Sequence, residues 1–203
     1  EERKKVDIRK FIPWFRKFHI FLGISFFLGS LLVQSINENV TGIFLAVYPI
    51  LAYIFFISTS SKYSKGQFSK WNKLGVFILV GTLLLVLGLL GYGYKESKLV
   101  INSDQIEIRG IYGETISKSE IQSIEIVSQI PDIRVKTNGF ALGSIKKGYF
   151  RTNNDEVIKL ILNSSNNQVI LITKTGNKKV YYSAKNKSNE LIADEIIKAF
   201  DGI

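Results

Sequence analysis

Two patterns of hydrophobic and polar positions divide this chain near residue 95. Before that point apolar residues come in unbroken runs; after it they alternate. The clearest run is 74–94, LGVFILVGTLLLVLGLLGYGY, twenty-one residues without a charge. As a helix rising 1.5 Å per residue it matches the roughly 30 Å hydrocarbon core of a bilayer. Two runs precede it. Residues 18–36 carry His19 and several serines but no fixed charge, and residues 42–58 carry Pro49 at their middle. Proline removes a backbone donor and predicts a kink, which neighbouring helices in a membrane tolerate. The polar link 37–41 is so short that the first two runs must form an antiparallel hairpin. The pattern therefore predicts an α-helical membrane domain over 1–94, with three transmembrane helices at about 18–36, 42–58 and 74–94.

From residue 95 the period becomes two, the mark of half-buried strands. Strand patterns occur at 98–101, 105–109 (QIEIR), from 114, at 122–128 (QSIEIVS), 133–137 (IRVKT), from 148 (GYFR), and at 157–162, 168–174 and 179–183. Asn102-Ser103-Asp104, Gly110–Gly113, Asn138-Gly139 and 175–178 (TGNK) read as turns. Residues 117–121 fit one helical turn, and Pro131 breaks the chain. The ending differs. Ile192, Ile196, Ala199, Phe200 and Ile203 recur at helical spacing, with Ser188 as N-cap and Glu190 in the first turn. Seven or so antiparallel strands and one amphipathic helix predict a small β-barrel over 95–203, its open end plugged by the helix.

Charge sharpens this division. Residues 1–94 hold 11 Lys/Arg against 4 Asp/Glu, and residues 95–203 hold 16 against 13, so most of the net +10 flanks the apolar runs. That placement suits anionic headgroups and the positive-inside rule, and no basic helix or RNA-binding signature points to nucleic acid. The arm 1–17 is net +4, the link 37–41 net −1 and the link 59–73 net +4. The arm and the second link are therefore expected in the cytoplasm, and the C-terminal domain on the other side of the membrane. Phe11, Ile12, Trp14 and Phe15 make the arm a segment that lies against the bilayer before entering it; a solvated basic arm is the plainer alternative. His19, at the entry edge of the first run, is expected among headgroups rather than in a proton relay. The sequence starts at Glu1 without a methionine, which leaves upstream residues open.

Candidate chemistry is sparse. With no Cys and one His, disulfides, thiolate nucleophiles, zinc-thiolate sites and His-rich metal sites are excluded. The one histidine lies away from the serines of the second domain, and no local motif selects a Ser–Lys pair there. Asp155-Glu156 and Asp194-Glu195 read as solvated carboxylates, Asn153-Asn154-Asp155 lacks a calcium-loop pattern, and Gly91-Tyr92-Gly93 is too short to cradle phosphate. No enzyme activity, cofactor or metal is expected. Two patches remain. Arg134, Lys136, Asn138, Phe140, Lys146, Lys147 and Arg151 could face an acidic partner or headgroups, if strand alternation turns Ile133 and Val135 inward. Lys62, Lys65, Lys70 and Lys73, with Tyr63, Phe68 and Trp71 interleaved, suit an anionic leaflet or simply set orientation. Gly81 and Gly88, seven apart on the third run, share a face that could pack on another helix.

The stretch IYGETI at 111–116, then Ile121 and Ile124, Pro131, RVKTNGF at 134–140 and GYF at 148–150 resembles bacterial pleckstrin-homology-like (PH-like) domains. The resemblance covers about 95–200. It implies a seven-stranded bent barrel with a C-terminal capping helix, following membrane spans, that binds or assembles rather than catalyses. The acidic turn Asn102-Ser103-Asp104 stands where a basic phosphate-binding loop would be needed, so phosphoinositide binding is not implied. The expected partners are membrane lipids, other membrane-protein subunits or further copies of the chain. An accessory subunit of a transporter, with the spans carrying the main role, is the second reading.

Overall fold

The computed structural model describes residues 7–63, 70–165 and 168–200, apart from the side chains of Glu38 and Ser61. The chain falls into two compact units, Glu1–Leu90 and Gly91–Ile203. The first holds the helices α1 (Ile8–Ile36), α2 (Glu38–Ser60) and most of α3 (Lys70–Tyr94), with a 3-10 turn at Ser61–Tyr63. All three helices are long and apolar enough to cross a membrane. Each starts earlier than its apolar run. Asp7 caps α1, its carboxylate accepting from the amide of Lys10 at 3.4 Å, so the helix takes in Arg9, Lys10 and Pro13. The expected link 37–41 shrinks to Asn37. Its side-chain oxygen accepts from the amides of Asn39 at 2.8 Å and Val40 at 3.3 Å, while its own amide donates to Val33 O. One residue thus ends α1 and starts α2.

The α1–α2 hairpin is held by side chains along its length. At one end Trp14 stacks on Phe56 with ring centroids 4.9 Å apart. Ser25 hydrogen-bonds Tyr48 in the middle, and the Phe44 ring fills the notch at Gly29. His19, carrying its proton on Nδ1, donates to Phe15 O at 2.9 Å, a bond internal to its helix.

The second unit contains nine strands and α4 (Asn189–Ala199). They form two sheets and no closed barrel, which corrects the barrel expectation. β1 (Lys98–Ile101), β2 (Gln105–Arg109) and β3 (Glu114–Ser117) make an antiparallel meander. The 3-10 turn Lys118–Glu120 follows, its capping box pairing the Ser117 amide with the Glu120 carboxylate at 3.0 Å. This corner sends β4 (Ile121–Val127) away from β3 and into another sheet. That sheet has the order β4-β8-β9-β7-β6-β5, with β5 (Ile133–Leu142), β6 (Ile145–Thr152), β7 (Val157–Leu162), β8 (Val169–Lys174) and β9 (Lys178–Ser183). Among the described residues only β7 and β9 pair in parallel. The outer strands β4 and β5 lie five spacings apart in this order, about 24 Å if the sheet were flat. The link 128–132 reaches only about 20 Å, so the sheet curls without its edges pairing.

Cross-strand partners share a face. On one face Ile124, Ile161, Ile170, Ile172, Val180 and Tyr182 meet Ile106, Ile108 and Ile116 of the meander and Ile192, Ala193, Ile196 and Phe200 of the C-terminal helix segment. On the other, Phe150, Ile158, Leu160, Leu162, Val169 and Tyr181 lie under Val127, Ile130 and Ile133, where the link 128–132 crosses. Ser188 caps α4 as expected, accepting from the amide of Leu191. The stripe of α4 runs through Ala193 and partly through Ile197, whereas Ala199 points outward. Ile203 lies outside the described residues.

Two local expectations fail for one reason. Asn138-Gly139 is no turn: β5 runs through it, and the hairpin turns at 143–144. Register shifts at Arg134 and Thr137 insert two bulges, so β5 does not alternate cleanly and Val135 is 47% exposed. Gly139 and Gly148 are in register, and a Cβ on either would strike the opposite backbone, so close strand approach requires glycine there.

Candidate functional site

The seven residues of the β5–β6 patch separate into five environments. Arg134 reaches Asp155 at 2.6 Å, and Arg151 approaches the same carboxylate at 3.7 Å. All three side chains are well exposed, so this pairing is weak and screened by salt. Asn138 accepts from the Tyr112 hydroxyl at 2.6 Å. Phe140 packs edge-on against Tyr94, centroids 6.2 Å apart. Lys136 and Lys146 have no ion-pair partner among the described residues. Lys147 leaves the surface altogether.

Lys147 is fully buried. Its ammonium donates to Gly93 O at 3.1 Å and to Lys95 O. These carbonyls belong to the last turn of α3 and its exit, where a helix leaves acceptors unsatisfied and carries negative partial charge. A cation is suited to that position. Burial nevertheless pulls its pKa down to about 8, Glu96 working against the shift and Lys185 with it. Beside it Asn163 makes a second polar joint. Its side chain accepts from the Ser97 amide at 2.8 Å and donates to Ser97 O at 2.9 Å and Ser183 O at 2.8 Å. Glu96 accepts from the Lys185 amide at 3.0 Å. Tyr182 accepts from the Leu99 amide at 3.2 Å, and burial pushes its phenol up to about 12. Residues 93–99 are thus bound to β6, to β9 and to the residues that follow β7 and β9 by hydrogen bonds that use side chains.

A third cluster bridges the sheets. Glu114, at the start of β3, has one carboxylate oxygen 3.3 Å from Lys159 Nζ and the other 2.9 Å from Lys174 Nζ. Lys159 also lies over the Tyr149 ring, 5.4 Å from its centroid, and Tyr149 meets Tyr112 edge-on at 6.3 Å. Tyr112 has φ +57, costly for a bulky side chain, and its bond to Asn138 spans the sheets.

On the membrane helices, Lys62 lies on the 3-10 turn and Lys70 and Lys73 in the first turn of α3, all exposed; Lys65 and Phe68 lie outside the described residues. Trp71 is 69% exposed, and Tyr63 packs on Trp14 at 4.9 Å. The carboxylates read as solvated do sit outside the core: Asp155 binds the two arginines, Glu156 meets Lys179 at 3.0 Å and Glu195 meets Lys187 at 2.7 Å. Among the described residues no three His, Asp or Glu side chains gather as metal ligands would.

Sequence reasoning grouped Lys147 with surface cations. The signal for its burial was present, since Lys147 shares strand parity with the core residue Ile145. Lys159, enclosed in the apolar run VIKLIL, gave the same signal. Asn163 and Ser97 gave none. No family model, curated protein or solved structure matches this chain.

Proposed function

We infer that this is a multi-pass protein of a bacterial cell membrane that presents a PH-like β domain as a protein-binding or assembly module. It would act as a non-catalytic subunit of a larger membrane complex. The observation that carries the reading is the uncovered face of α3. Gly81 and Gly88 have nothing within 4 Å of where a Cβ would stand, and Phe77, Leu84 and Leu85 are 75%, 65% and 62% exposed. The comparable glycine of the hairpin, Gly29, is already filled by Phe44. A glycine face on an apolar helix lets a second helix approach closely, and packing rather than hydrophobicity drives such association in lipid. The mostly-β unit with its C-terminal helix supports the PH-like part of the proposal.

The charge of the links supports an orientation with the N-terminus and residues 59–73 in the cytoplasm and the β unit outside. Protease digestion of intact spheroplasts tests it: cleavage within 95–203 is expected, and protection there would reverse the topology. Native mass spectrometry of the gently solubilised protein tests assembly. A homo-oligomer or a co-purifying membrane subunit supports the reading, a transporter among those subunits would select the accessory role, and a monomer throughout would overturn it.

A further inference from the structure

The Glu114 cluster is electrostatically incomplete. Lys159, Lys174 and Glu114 have side chains only 8%, 15% and 20% exposed, and together they carry one excess positive charge. Each ammonium has three N–H donors. Lys174 uses one on Glu114, whereas Lys159 approaches the other oxygen without hydrogen-bonding geometry, and that oxygen accepts no hydrogen bond. Removing two ammonium groups from water behind one carboxylate is unfavourable unless another anion completes the set. Lys178 pairs across the strands with Lys174 on the same face and adds a third, exposed cation at the rim. Tyr149 lies against Lys159 and meets Tyr112 edge-on at the side of this cluster. The left-handed backbone of Tyr112 is fixed by the bond from its hydroxyl to Asn138.

We propose that the cluster of Lys159, Lys174, Tyr112 and Tyr149 binds a carboxylate side chain from an acidic segment of a partner protein. The incoming carboxylate takes the donors that Glu114 leaves unused, and the tyrosines pack against its chain as aromatic anchors do at interfaces. This rests on the protein-binding reading above and names the partner's chemistry. The site already accommodates one carboxylate, which favours a second over an anion of different shape.

The test uses the full chain in nanodiscs of zwitterionic lipid and a fluorescent acetylated pentaglutamate amide, followed by anisotropy at about 150 mM salt, where loose surface attraction is screened. Saturable binding is expected. Lys174→Gln should weaken it by about tenfold or more, and the exposed Lys178→Gln by about twofold to threefold. Glu114→Gln should tighten it, because a competing carboxylate is gone; a purely structural bridge predicts loosening. Lys136→Gln, which pairs with Phe150 and not with Tyr149 and so lies on the other face of the sheet, should leave it unchanged. Absence of saturable binding by the unaltered chain overturns the proposal, as does equal weakening by Lys136→Gln and Lys174→Gln. Binding of inorganic phosphate but not of the peptide also overturns it, in favour of a small oxyanion. Assembly seen by native mass spectrometry would survive any of these failures.

Discussion

The two units use the same apolar residue types to opposite ends. Ile106, Ile116, Ile170 and Ile196 of the β unit are fully buried, whereas Phe21, Leu32, Phe77 and Leu84 of the helices are 65–75% exposed, at 69%, 67%, 75% and 65%. The β unit conceals its hydrophobic surface within itself, between two sheets and a helix. The helical unit conceals almost none and depends on its surroundings to do so. Polar groups follow the same rule in reverse. In the helices hydroxyls bond back to their own backbone, as Ser30 does to Phe27 O at 2.7 Å and Thr82 to Ile78 O at 2.9 Å. In the β unit polar side chains reach across the fold, as the Asn163 carboxamide does to Ser97 and Ser183. Apolar burial is therefore a property of solvent as much as of sequence.

The strongest way to break this comparison is truncation at matched positions. Ile170→Ala should cost the β unit about 2–5 kcal/mol, because its site is closed on every side. Leu84→Ala should change the unfolding of the β unit by less than about 0.5 kcal/mol. Denaturant unfolding of the detergent-solubilised chain, followed by strand circular dichroism, reads both.

Lys147→Met comes next. It strands the carbonyls of Gly93 and Lys95, at a cost of about 1–3 kcal/mol. The pH dependence gives the lysine away. Its folded pKa, about 8, lies below the 10.5 of an ordinary lysine, so between those values the unfolded chain holds a proton that the folded chain has lost. Raising the pH through this window should therefore stabilise the unaltered protein relative to Lys147→Met, and the penalty on the charged amine is fully present below pH 8.

Smaller effects sharpen the helical side. Gly29→Ala must displace the Phe44 ring and should loosen the α1–α2 hairpin by about 1 kcal/mol, while Gly81→Ala meets open space and should leave the hairpin intact. If α3 assembles through that face, Gly81→Ala should instead lower the oligomer fraction in native mass spectra. Arg134→Ala should cost the β unit little, about 0.2–1 kcal/mol, since its bond to Asp155 is exposed on both sides.

The helices, the places of the nine strands and the capped C-terminal helix were legible because each follows a local period. The barrel was not. Whether β3 and β4 stay in one sheet depends on the capping box at Ser117 and Glu120, a local device whose tertiary consequence no periodicity carries. β5 misled for a related reason: its bulges at Arg134 and Thr137 break the alternation that assigned Arg134 and Lys136 one face. Asn138-Gly139 has turn composition, but Gly139 serves close approach to Gly148. The patch on β5–β6 was half legible, since its cations are real but Lys147 and Phe140 are spent on the end of α3. The Glu114 cluster needed three strands brought together from 114, 159 and 174, and only the parity of Lys159 within its apolar strand hinted at it.

The division into a lipid-solvated helical unit and a self-contained β unit is tested most directly by spin labels, for which a chain without cysteine is well suited. Single labels at Leu84→Cys and Tyr149→Cys would be read in nanodiscs by collision with oxygen, which concentrates in lipid, and with a water-soluble nickel chelate. The account predicts high oxygen and low nickel accessibility at position 84 and the reverse at position 149. Free nickel access at position 84 would contradict it.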